Sequence, residues 1–159
     1  MKLHTVFLAG LFGLSTVASG QTLSPDGYGK IGFGQRLSAI ERQLGQRATP
    51  RPADPACSMV SFKRYPDVRF MVENGVITRA DANRIVRNSA GITAHMSVKE
   101  AQRHRPALQV GPHKYDEHGQ YLTLAQGKDK ALIFEASKGK LQRMRAGIKP
   151  AVENVETCG

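Results

Sequence analysis

Apolar and polar residues alternate with a period of two along six stretches of the chain. Three lie in the middle, "SMVSFKRY" (58–65), "VRFMVE" (68–73) and "VITRAD" (76–81), and three follow later, "QYLTLAQ" (120–126), "KALIFEA" (130–136) and "KLQRMRA" (140–146). This is the pattern of half-buried strands. Between Asn74-Gly75 and the residues that flank it the pattern predicts a tight hairpin, and Lys138-Gly139 predicts a second. Elsewhere the spacing becomes helical. Leu37, Ile40 and Leu44 recur every three or four residues, and Gly45 supplies a stop. Ser97 with Glu100 three residues on is a capping box that opens a second short helix. Ala82 to Ser89 is expected to carry one more short helical turn.

The predicted elements recur. "RFMVENGVITR" (69–79) and "IFEASKGKLQR" (133–143) match at an offset of 64, with Phe70 on Phe134, Gly75 on Gly139 and Arg79 on Arg143. Upstream, "IGFGQRLSAIERQLG" (31–45) aligns with "ITAHMSVKEAQRHRP" (92–106) at an offset of 61. Two blocks in the same order point to a duplication. The expected fold is α+β: two tandem units of one helix plus an antiparallel hairpin, 21–83 and 84–159, merging into one sheet with both helices on one face.

The first twenty residues stand apart. Lys2 is their only charge, Val6 to Leu14 is an apolar run, and "ASG" at 18–20 ends in small residues. These features describe a secretory signal over 1–20, and no later stretch is apolar enough to be expected to span a membrane. The remainder holds 22 basic against 13 acidic residues, a balance that favours acidic partners. In an exported chain the two cysteines, Cys57 and Cys158, are expected to form a disulfide. The expected location is periplasmic or secreted.

Catalytic and cofactor chemistry is poorly represented. "HKYDEH" (113–118) gathers His113, Asp116, Glu117 and His118, all metal-ligating types. A five-residue spacing puts the two histidines on one face of neither helix nor strand, and the flanking glycines describe a polar loop, so no metal site is expected. No GxSxG is present, and "GYGKIGFG" (27–34) lacks the Lys-Ser/Thr of a phosphate-binding loop. Basic residues are not interleaved with aromatics along one strand, which argues against nucleic acid. No catalytic residues and no cofactor are expected, and the chain is read as a non-enzyme.

Binding is the better prospect. Simple alternation outward from each turn pairs Phe70 with Arg79 and Phe134 with Arg143, placing both arginines on the mainly apolar face. Arg69, Met71, Glu73 and Thr78 would share the opposite, mixed face with Ile133, Glu135, Gln142 and Met144. Candidate binding residues combine basic side chains with apolar or aromatic anchors: Lys63, Tyr65, Arg69, Met71, Lys114, Tyr115 and Tyr121.

The segments "GQRLSAIERQLG" and "HMSVKEAQ", each a turn followed by a short helix and then strands, resemble the repeat of small envelope proteins. The families concerned are those of the β-lactamase-inhibitor-protein type and of the small lipoprotein of the barrel-assembly machinery. Gln35 stands where that repeat has Met, and His95 where it has Gly. The resemblance implies a protein-binding role. The expected function is an exported module binding an acidic protein, as an inhibitor or an immunity protein neutralising a toxic enzyme. The alternative is an envelope assembly factor that binds outer-membrane proteins or cell-wall polymer.

Overall fold

The computed structural model describes residues 21–158, so the signal segment expected over 1–20 lies outside the described residues. The chain opens with three two-residue strands, β1 (Leu23–Ser24), β2 (Gly27–Tyr28) and β3 (Ile31–Gly32), followed by helix α1 (Leu37–Leu44). Then come β4 (Ser58–Phe62), β5 (Tyr65–Glu73), β6 (Val76–Asn83), α2 (Val98–His104), β7 (Gln109–Pro112), β8 (Gly119–Gln126), β9 (Lys130–Ser137) and β10 (Lys140–Ile148). Strands β1–β3 form a small sheet, and the other seven form one antiparallel sheet in the order β4-β5-β6-β10-β9-β8-β7.

This corrects the expected fold class. The protein is mostly β, 44% strand and 11% helix, and is not a tandem helix-and-hairpin arrangement of the α+β class. Two physical causes stand out. The helices stop after two turns: Gly45 takes a left-handed φ of 65° after α1, and Pro106 disfavours helical backbone at Arg105 after α2. The strands, by contrast, run long: β5, β6, β8, β9 and β10 have eight or nine residues each, and residues 79–83 of β6 pair with 143–147 of β10 to join the hairpins into one sheet. The short helix expected over 82–89 is absent, and strands β1, β2 and β7 were not anticipated.

Local rules still explain each turn. Asn74 and Gly75 have φ of 50° and 76°, and Lys138 and Gly139 have 49° and 74°. Left-handed backbone at both central residues is the geometry that matches strand twist in a two-residue hairpin. Each helix begins against one of these turns. Leu37 donates its amide to the Gly75 carbonyl at 2.9 Å, and Val98 to that of Gly139 at 3.3 Å. The Ser97–Glu100 capping box is formed in full.

Both helices lie on the same side of the large sheet. Leu37, Ile40, Val98 and Ala101 join Phe62, Phe70, Phe134, Leu122, Leu132 and Ile77 in one cluster of buried apolar side chains. Burying each large side chain contributes about 1.5–3 kcal/mol, so this face dominates the stability of the fold. None of the described helices is long and apolar enough to cross a membrane.

Candidate functional site

The opposite face of the sheet is built differently, and a pair of β-bulges creates it. In β5–β6, Val72 pairs with Ile77, but the next pair is Met71 with Arg79, so Thr78 is an extra residue. In β9–β10, Ala136 pairs with Leu141, but the next pair is Glu135 with Arg143, so Gln142 is extra. One inserted residue sends every later side chain to the other face. Phe70 therefore pairs with Ala80 and Phe134 with Met144, all in the helix-covered core. The arginines expected on the apolar face are instead on the far one, and Met144, expected on the mixed face, is in the core. Thr78 keeps its expected place beside Glu73, donating to its carboxylate at 2.6 Å.

On that far face Arg79 and Asp81 from β6 meet Arg143 and Arg145 from β10, with Glu135 from β9 and Tyr121 from β8. Gly147 faces Arg79 across the β6–β10 ladder. A Cβ at Gly147 would lie 2.4 Å from the Thr78 carbonyl oxygen and 2.8 Å from the Arg79 Cα, so the close approach requires glycine.

The chain's own C-terminal segment, 149–158, lies over this polar surface. Arg79 is 2% exposed, and its Nη1 donates to the carbonyl oxygens of Ala151 at 3.2 Å, Asn154 at 2.7 Å and Glu156 at 3.1 Å. Its Nε donates to Asp81 Oδ1 at 2.8 Å. Arg145, also buried, donates from Nε to the Val152 carbonyl at 2.7 Å and from Nη1 to Glu135. Burial pulls the Arg145 guanidinium below its usual range, and Glu135 opposes that pull. Glu135 accepts in addition from Arg143 Nε at 2.6 Å, and His113 Nε2 lies 3.6 Å away. His113 stacks on Tyr121 at 4.4 Å between ring centroids, and the Arg145 guanidinium sits 5.2 Å from the Tyr121 centroid. Beneath the segment, Asp81 Oδ2 and the Tyr121 hydroxyl are buried and find no hydrogen-bond partner among the described residues.

Three further contacts fasten the segment. Ala151 packs on Met59 and Met71, and Val152 on Ala131 and Ile133. Lys114 Nζ sits 2.9 Å from Glu156 Oε1, and the Tyr115 hydroxyl donates to the same oxygen. The hydrogen bond from Tyr115, with that from Lys114, holds the Glu156 carboxyl down at about 2, and hydrogen bonding to Tyr115 first and Glu156 second raises the Lys114 ammonium. Cys57, just before β4, is disulfide-bonded to Cys158 with Cα atoms 5.4 Å apart.

The predicted binding residues do not form one surface. Met71, Lys114, Tyr115 and Tyr121 all meet the C-terminal segment or the polar cluster beneath it, and Arg69 is exposed on the same face, opposite Asp81. Lys63 is exposed at the β4–β5 turn. Tyr65 is 2% exposed in the other core, its hydroxyl accepting from the Lys30 amide at 3.1 Å and its ring edge-on to Tyr28. The 113–118 loop spends its polar groups on itself and its neighbours. Asp116 accepts from the His118 amide and from Ser137 Oγ, and His113 Nδ1 from the Tyr115 amide. Among the described residues no His, Cys, Asp and Glu side chains group as metal ligands would.

Asp81, Glu135 and Arg145 went unassigned as a cluster. A signal existed: Arg79 and Asp81, like Arg143 and Arg145, are two apart in a strand and so share a face. Chemically the arrangement can hold a turn of chain by its main-chain carbonyls and catch a carboxylate at one end. No family model, no curated protein and no solved structure matches the chain.

Proposed function

We propose that the protein is an exported protein-binding module whose partner presents an acidic surface, acting as an inhibitor or immunity protein. The observation that carries this reading is where the charge goes. Asp26, Glu41, Asp81, Glu135, Glu153 and Glu156 are each matched to a lysine or arginine of the same chain. Much of the basic surplus, including Lys63, Arg64 and Arg69, is therefore left exposed and outside those pairs. A surface of that sign steers acidic partners and raises their association rate. The disulfide is compatible with export.

The test is capture from an envelope extract on the immobilised, oxidised protein. The expected result is one acidic protein retained in stoichiometric amount and released as salt screens the surface. Charge reversal at Lys63 and Arg69 should slow its association. Retention unaffected by salt, or of proteins no more acidic than the extract, contradicts the reading; retention of membrane fragments instead would favour an assembly role.

A further inference from the structure

We propose that the sheet face under residues 149–158 is a peptide-binding groove, that the C-terminal segment occupies it in cis, and that its second occupant is an acidic, turn-forming segment of the partner. The proposal rests on the protein-binding reading above and names the chemistry of the partner.

Four observations converge on it. The contacts that hold the segment read the main chain: Arg79 and Arg145, both nearly inaccessible, bond four carbonyl oxygens between Ala151 and Glu156. The segment meets them as a turn, with the amides of Val152, Glu153 and Asn154 bonded back to the Ile148 and Pro150 carbonyls, so another chain that takes the same turn can present its carbonyls in the same way. The charge of the groove is also selective. Lys114 and Tyr115 converge on the single carboxylate of Glu156 at its rim, with exposed Arg69 and Arg143 on the same face. An acidic side chain is what this end accepts.

The native segment is, moreover, weakly embedded. Of its residues only Ala151 and Val152 are buried, and neither is large. It forms no strand with the sheet. Segments with few buried apolar contacts open locally before the rest of a fold does. Finally, its fit is incomplete, since Asp81 Oδ2 and the Tyr121 hydroxyl beneath it are left unpaired among the described residues. A chain bearing a donor toward Asp81 would match the groove better than the resident one. The disulfide to Cys57 then keeps the resident segment at high local concentration, which biases the competition in its favour.

The test uses the full-length protein and, as probe, a fluorescein-labelled peptide of residues 149–158 carrying Cys158→Ser. Its binding is followed by anisotropy on the oxidised protein and on the Cys57→Ser/Cys158→Ser variant. The variant is expected to bind the peptide saturably and at least about ten-fold more tightly than the oxidised protein, because the tethered competitor is no longer pinned. Peptide bearing Glu156→Gln should bind the same protein several-fold more weakly, and Arg79→Lys in the variant background should weaken the unmodified peptide likewise. The altered peptide leaves the protein untouched, so loss of recognition is separated from loss of fold. If the variant does not fold, wild-type protein reduced with a phosphine takes its place. Equal binding by oxidised and unpinned protein, or indifference to both Glu156 and Arg79, overturns the proposal. So does exchange of segments between copies, seen as a concentration-dependent dimer that free peptide does not dissolve. No partner is needed for this test, so a groove that fails and a partner that is never captured are separate results.

Discussion

The two faces of the seven-stranded sheet are covered by the same chain in opposite ways. Under the helices, Phe70, Phe134, Leu122, Leu132 and Ile77 are sealed by Leu37, Ile40, Val98 and Ala101, and the stabilisation scales with apolar area. Under the C-terminal segment, the sealing groups are two arginines, two carboxylates and a disulfide, with Ala151 and Val152 as modest apolar plugs. Area is non-directional and is lost only when the whole core opens. Directional pairs can be lost one at a time. The first face therefore makes the fold, and the second makes a removable cover.

Substitutions can break that comparison, and the largest effect should lie on the helical side. Phe134→Ala empties a site that is 1% exposed and should lower unfolding free energy by about 3–5 kcal/mol. Urea denaturation should show this as a lower midpoint in a single global transition. Removing the disulfide with Cys57→Ser/Cys158→Ser should cost about 2–4 kcal/mol, given that the bridge spans 101 residues. The same denaturation curve measures it, and the loss should be accompanied by protease cleavage within 149–158.

Arg79→Met keeps the shape and deletes the carbonyl contacts. Hydrogen bonds to a charged group are worth about 1.5–3 kcal/mol, and breaking them should loosen the segment while leaving the near-ultraviolet signal of the helical core unchanged. If Arg79→Met instead unfolds the whole protein cooperatively, the two faces are not separable.

The smallest effect belongs to Glu156, which is held in its charged form. Its carboxyl titrates at about 2 in the folded protein against an ordinary value of 4.5. A depressed folded value means the contribution is complete above 4.5 and fades as pH falls from there toward about 2. Acid should therefore release the Lys114–Tyr115–Glu156 contact progressively across that window, and Glu156→Gln should remove this pH dependence. The NMR shift of the Tyr115 ring followed through the titration measures both.

How much of this was legible in the sequence divides along the same line. Asn74-Gly75, the Ser97–Glu100 box and Gly45 carry their structural meaning in a few adjacent residues, and the disulfide was legible because the chain has only two cysteines to pair. The strands around Phe70 and Phe134 were legible because period-two burial is local too. The bulges at Thr78 and Gln142 were not, because nothing in the alternation marks where one residue is skipped, and that skip decides which face receives Arg79. The pairing of β6 with β10 is a long-range choice between hairpins, and the helices were expected to matter more than two turns allow. The polar cluster depends on both the bulges and the path of 149–158, and neither leaves a mark in the local alternation.

Native-state hydrogen exchange in low concentrations of urea tests the separation of the two faces most directly, because it reads the opening free energy of each amide and the surface that the opening exposes. The amides of Val152, Glu153 and Asn154, bonded to the Ile148 and Pro150 carbonyls, report on the cover, and those of β6, β9 and β10 on the sheet. In the oxidised protein the cover amides are expected to exchange through a lower-energy opening with little urea dependence, while the sheet amides open only globally. A shared opening free energy and the same urea dependence for both sets would contradict the distinction between fold-making face and removable cover.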